Sequence, residues 1–146
     1  MTKINKIRLA CHKILAVPTL LPDDKTYCNI GTFMILRELG IHNDFVKDNS
    51  IKLANEMYDV LKEKYTKVSL DRVFKDILTG KVFVACLHGK PHGHIALIYP
   101  HSTQVYSIKW NVSVPLCANF GRENGVMGLN WAFSELPDLF EIGEVK

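Results

Sequence analysis

Hydrophobic positions change period partway along the chain. In the first half they recur at helical spacing. Ile4, Ile7, Cys11, Ile14 and Leu15 form one such stripe, which Pro18 ends. A turn-rich stretch with Pro22, Asp23 and Asp24 follows. The segment YCNIGTFMILRELG then predicts a second helix. Ile30, Phe33, Met34, Ile35, Leu36 and Leu39 lie on nearly every side of it, and Gly40 stops it, so it should run through the middle of a domain. A third helix is expected over 50–64, with Leu53, Met57, Val60 and Leu61 on one face. A fourth is expected over 69–79, capped by Ser69 and closed by Gly80, with Leu70, Val73, Phe74, Ile77 and Leu78 as its stripe.

From residue 82 the pattern is that of strands. Residues 82–87 and 95–99 are apolar runs separated by the polar turn HGKPHG, and they predict neighbouring antiparallel strands. Residues 103–108 alternate, and 114–120 predict a further strand. Residues 121–128 read as glycine-rich loop, and 139–142 as a last edge strand. Helices first and an antiparallel sheet second predict an α+β domain. No repeat or linker divides the 146 residues, so a single domain spanning 1–146 is expected.

Composition narrows the function classes. A formal charge of +3, with scattered Lys and Arg, gives no basic stripe for nucleic acid. No stretch has the length of a membrane span. Arg8, His12 and Lys13 interrupt the N-terminal apolar residues, so no signal peptide is expected and synthesis is placed in the cytoplasm. The four cysteines, Cys11, Cys28, Cys86 and Cys117, form no C-x-x-C pair, which argues against a zinc knuckle or a thioredoxin-type site.

Cys28 differs from the other three by its place at the start of the second helix. Unpartnered backbone N–H groups and the helix dipole there predict a lowered thiol pKa. Cys11 lies on a helix stripe, and Cys86 and Cys117 lie in strand patterns, so these three read as core. A nucleophilic thiol needs a proton carrier, and His94, opening a strand directly after Gly93, is the candidate. Gly93 leaves room there for a helix end or a substrate. The base in turn needs an orienting group. Asn119, near the end of the following core strand, is the candidate, with Asn111 and Gln104 as alternatives. His92 is the rival base, although Pro91 assigns it to the turn.

The strings TYCN and GHIALI, in this order and on these elements, resemble the papain-like amidases and endopeptidases of bacterial cell walls, the NlpC-type and CHAP groups. Weaker similarity runs through LANEMYDVL, VPLCANFG and NGVMGLNWAF. The resemblance implies a papain-like fold, with helices packed on a C-terminal antiparallel sheet. It implies that Cys28 attacks a carbonyl, His94 moves the proton, Asn119 orients His94, and the Cys28 N–H contributes to an oxyanion hole. The implied substrate is the peptide part of peptidoglycan, cut without a cofactor by a monomer. The chain would then be a phage-type lytic enzyme or an exported antibacterial effector. It would reach the wall through a holin-type or secretion-system carrier, and an inhibitor protein would be a natural partner. Gly31 departs from the pattern, because such families often place a bulky aromatic there.

Two other readings stay open. One is an inactive papain-like binding module. The other is a metal-dependent hydrolase built on Cys86, His88, His92 and His94, whose spacing is not a recognised zinc pattern. Trp110, Trp131 and Phe133 are candidates for lining a groove or for packing.

Overall fold

A computed structural model describes residues 1–146. Its helices are α1 (Lys3–Leu15), α2 (Cys28–Glu38), α3 (Ala54–Lys64), α4 (Leu70–Asp76) and α5 (Leu129–Ala132). Its strands are β1 (Val46–Lys47), β2 (Ser50–Ile51), β3 (Thr66–Val68), β4 (Lys81–Leu87), β5 (His94–Tyr99), β6 (Val105–Ser107), β7 (Val112–Val114), β8 (Leu116–Phe120), β9 (Asn124–Gly128) and β10 (Asp138–Glu144). The architecture is α+β. No helix is long and apolar enough to cross a membrane.

One six-stranded antiparallel sheet, in the order β3-β10-β4-β5-β8-β9, organises the chain. Helices α1, α2 and α3 cover one face through Ile7, Ile35, Leu36, Met57 and Leu61, packed on Val84, Cys86, Ile95, Leu97 and Phe120. Val73, Leu129 and Phe133 cover the other face, packed on Phe83, Ala85, Ala96, Ile98 and Cys117. Strands β4 and β5 are therefore apolar on both sides, which is why they read as unbroken hydrophobic runs rather than alternating ones.

Several elements differ from the sequence expectation. The third helix begins at Ala54, not at residue 50, because residues 46–51 form a small hairpin. Asp48 and Asn49 turn it at φ 51° and 63°, the left-handed region that short polar side chains tolerate best. The fourth helix stops at Asp76 and Gly80 turns at φ 101°. The expected strand over 114–120 is two strands parted by Pro115, which has no N–H for a ladder. The first part, β7, pairs with β6 in a separate hairpin, and only β8 enters the main sheet.

The expected loop over 121–128 contains β9, which pairs with β8 from Leu116↔Gly128 to Phe120↔Asn124. Backbone groups on the open side of β8 need partners, and that need outweighs the low strand propensity of Gly125 and Gly128. The last strand is not at an edge, because β3 flanks β10 on its outer side.

Candidate active site

Helix α2 starts at Cys28 without a side-chain cap, since Tyr27 at the N-cap accepts no hydrogen bond. Thr2 and Ser69 do cap α1 and α4. In α2 the backbone N–H groups of Ile95, Asn29 and Cys28 lie near the Cys28 sulfur and favour its thiolate, yet burial outweighs them and pushes the thiol above its ordinary value of 9.0. Only 8% of Cys28 is exposed. The lowered pKa expected from the helix start is therefore corrected: the helix end helps, but desolvation is larger.

The Ile95 donor is available because of strand register. The β5–β8 ladder joins Leu97–Tyr99 to Leu116–Ala118 and stops short of Ile95. The Ile95 N–H lies near the Cys28 sulfur, so α2 brings its first residue to the residue directly after His94, at the start of β5. Ile95 packs in the core under α2, while His94 lies against Phe133 of the other core, with ring centroids 4.7 Å apart.

His94 is held by Asn119. The two residues lie on neighbouring strands and face the same side, and Nε2 of His94 is 2.6 Å from Oδ1 of Asn119. An amide oxygen only accepts, so Nε2 carries the proton and Nδ1 is the basic nitrogen. The amide is oriented in turn, because Asn119 Nδ2 donates to the Glu123 carbonyl at 2.9 Å. That bond fixes which end of the carboxamide faces the ring. Burial lowers the His94 pKa below 6.5, with the Asn119 bond opposing part of the shift. His94 hydrogen-bonds Asn119 and not the thiol, and both the thiol and the imidazole are kept neutral near pH 7.

The other candidates are placed elsewhere. Asn111, at φ 53°, accepts from the Tyr106 hydroxyl on the β6–β7 hairpin, and Gln104 is exposed just before that hairpin. Neither meets His94. His92 lies exposed in the turn before β5. Cys86, His88, His92 and His94 do not converge as a metal-ligand set. Cys86 points under α3 and donates to the Ala54 carbonyl at 3.7 Å, whereas His88 packs on Tyr58 with centroids 5.6 Å apart. Cys11, Cys86 and Cys117 are buried, and desolvation raises all three, Cys11 to about 12.

Gly31 is explained by the sheet. A Cβ at that position would overlap the Phe120 ring, so the aromatic bulk expected on the helix is supplied by β8. Gly93 is explained as well. The helix end beside it is the first turn of α3, whose Asn55 occupies the space a Cβ would need. Asn55 grips the turn by accepting from Gly89 N–H at 3.1 Å and donating to Gly89 carbonyl at 2.8 Å.

Sequence reasoning missed Asn124. Its Oδ1 accepts from Gly121 N–H at 3.2 Å, and its Nδ2 donates to the Leu20 carbonyl at 2.8 Å. One carboxamide thus ties the turn that holds Asn119 to the segment leading into Cys28. The signal was a small polar residue in a glycine-rich stretch, which pattern alone reads as loop.

A pocket of about 470 Å³ opens beside the imidazole. His94, Asn119, Arg122, Met127, Trp131 and Phe133 are among its lining, and Cys28 is not. Trp131 is 72% exposed there, whereas Trp110 packs against the second core. No protein-family model and no curated protein matches the chain.

Proposed function

We propose that this protein is a papain-like cysteine amidase or endopeptidase in which Cys28 is the nucleophile, His94 the general acid and base, and Asn119 the residue that orients His94. One observation carries the reading. A histidine held by Asn119 directly precedes Ile95, whose backbone N–H lies near the thiol at the start of α2. Of three polar candidates for the third position, Asn119 is the one in contact with the ring.

The chemistry follows from the neutral state of both groups. On attack, Sγ bonds to the carbonyl carbon while Nδ1 of His94 takes the thiol proton. The carbonyl electron pair moves to oxygen. That oxyanion is stabilised by the Cys28 N–H, which has no helical carbonyl to bind. His94 then gives its proton to the leaving nitrogen, the C–N bond breaks, and a thioester remains on Cys28. Water attacks the thioester with His94 as base, and the acid departs as the thiol is restored. Asn119 keeps Nε2–H occupied throughout and stabilises the imidazolium that forms in between.

The substrate assignment, the peptide part of peptidoglycan, rests on the resemblance of TYCN and GHIALI to cell-wall hydrolases. Incubation of purified sacculi with the wild type and with Cys28→Ala, followed by mass spectrometry, tests it. Fragments with new amide-derived termini are expected from the wild type alone. Identical fragment patterns from both proteins would refute it.

A second reading, an inactive binding module, is favoured by the 8% exposure of Cys28 and by its raised pKa. Iodoacetamide discriminates. An active pair gives alkylation at neutral pH that is lost in His94→Ala, while an inactive site gives slow labelling that His94→Ala leaves unchanged.

A further inference from the structure

We propose that the pocket beside His94 receives the leaving-group side of the scissile amide, and that it selects an amine-side residue with an apolar side chain and a free carboxylate. The proposal rests on the reading that His94 protonates the leaving amine. In such a reaction the acyl group stays on sulfur and the amine departs past its proton donor. The pocket is lined by His94 and Asn119, and from the approach to α2 by Thr26 rather than Cys28, which puts the proton donor and not the nucleophile in its wall.

The lining gives the chemistry. Leu87, Met127 and Phe133 provide an apolar floor continuous with the second core. Trp131 offers an open indole face, and Glu123 Oε2 fixes its orientation from 3.4 Å at Nε1–H. Such a ring packs well against a flat or branched apolar group.

Arg122 supplies the charge. Arg72 is paired with Asp76 and Glu141, Arg8 donates to the Pro100 carbonyl, and Arg37 lies over Phe33. Arg122 is exposed at the pocket and has no hydrogen bond or ion pair within the protein. Its neighbour Glu123 is turned to the indole. A guanidinium left free beside an apolar floor suits a carboxylate, which it can bind through two parallel hydrogen bonds. An amide cleaved next to the end of a peptide would release such an amine.

The test uses the full-length Cys28→Ala protein, so that binding is read without turnover. L-Phenylalanine and L-phenylalaninamide are titrated against indole fluorescence. Saturable quenching by the amino acid is expected, with the amide binding about threefold or more weakly, the size of a partly exposed ion pair. Arg122→Gln in that background should bring the two ligands to equal affinity. Trp131→Phe should remove the quench, because the remaining indole, Trp110, is packed elsewhere. Equal affinity in the parent, absence of saturation, a preference that survives Arg122→Gln, or a quench that survives Trp131→Phe would each overturn the proposal. Iodoacetamide labelling of wild-type Cys28 reports separately on the nucleophile, so failure of the pocket assignment leaves that reading standing, and the reverse.

Discussion

Asn119 and His94 meet at 2.6 Å through Oδ1 and Nε2, and the direction of that bond decides which ring nitrogen is left to act. A donor in place of Oδ1 would select the opposite tautomer. A carboxylate would keep the tautomer and add charge. The residue at 119 therefore controls both the orientation and the basicity of His94.

Replacing Asn119 should separate those two effects. Asn119→Ala removes orientation but leaves the imidazole, so a loss of about ten- to a hundredfold in kcat is expected, at or below the lower end of what general acid–base catalysis contributes. Asn119→Asp places an anion beside the ring and should raise the His94 pKa, opposing the burial that now holds it below 6.5. NMR titration of the His94 ring in a Cys28→Ala background measures the shift. A ring pKa unchanged by Asn119→Asp would mean that the 119–94 contact is not maintained in solution.

Under the proposed mechanism the two ionisations bound the pH range of activity. Turnover needs His94 neutral and Cys28 protonated, and both are favoured by burial. The acid limb of kcat/KM should fall below pH 6.5 and the alkaline limb above pH 9.0, with a plateau between. In His94→Ala, alkylation of Cys28 by iodoacetamide should be slow at pH 7 and rise only beyond pH 9.0. A labelling plateau already reached at pH 5–6 would indicate a preformed thiolate and contradict a neutral pair.

The Gly31–Phe120 contact sets the distance between α2 and the sheet, and with it the position of Cys28. Gly31→Ala forces a methyl group into the Phe120 ring. A destabilisation of about 1–3 kcal/mol in urea unfolding is expected, the usual cost of overpacking. Phe120→Leu should recover part of that loss when combined with Gly31→Ala, because the smaller side chain yields the space. Additive losses in the double variant would show that the two positions do not press on each other.

What the sequence made legible follows from what burial does to a pattern. Strands β4 and β5 are covered on both faces, so their apolar runs stand out, and His94 could be placed at a strand start. Cys28 could be placed at a helix start because a polar turn precedes a helix that is apolar on most sides. Strand β3 was not visible, since Thr66 and Lys67 are exposed and its role is only to flank β10. Strand β9 was hidden by its glycines. The helix start alone predicts the wrong direction for the Cys28 thiol, because a helix N-terminus is a local feature and desolvation depends on residues far along the chain. Asn119 could be singled out as the partner of His94 from its place near the end of a core strand, but Asn111 and Gln104 stay open until the β5–β8 register is known.

The buried thiols also predict how the fold responds to alkali. Cys11, Cys28, Cys86 and Cys117 all have folded-state pKa values raised above 9.0 by desolvation. Above pH 9.0 the unfolded chain releases these protons while the folded chain keeps them, so the folded state loses ground. Stability from this source is fully present below the unfolded pKa and is lost as pH rises toward the folded values. Each thiol contributes a slope that approaches about 1.4 kcal/mol per pH unit. Four acting together are large against a total stability of about 5–15 kcal/mol. Tyr27, Tyr58, Tyr65 and Tyr99 are raised from 10.0 as well, Tyr58 to about 12, and their share grows as pH nears 10.0, so the thiols dominate the lower part of the interval from pH 9 to 10. Urea midpoints across that interval should fall steeply. Cys117→Ala will lower stability at every pH by leaving a cavity, yet it should make the fall with pH shallower by one thiol's share. An unchanged slope in that variant would assign the alkaline loss to groups other than the buried cysteines.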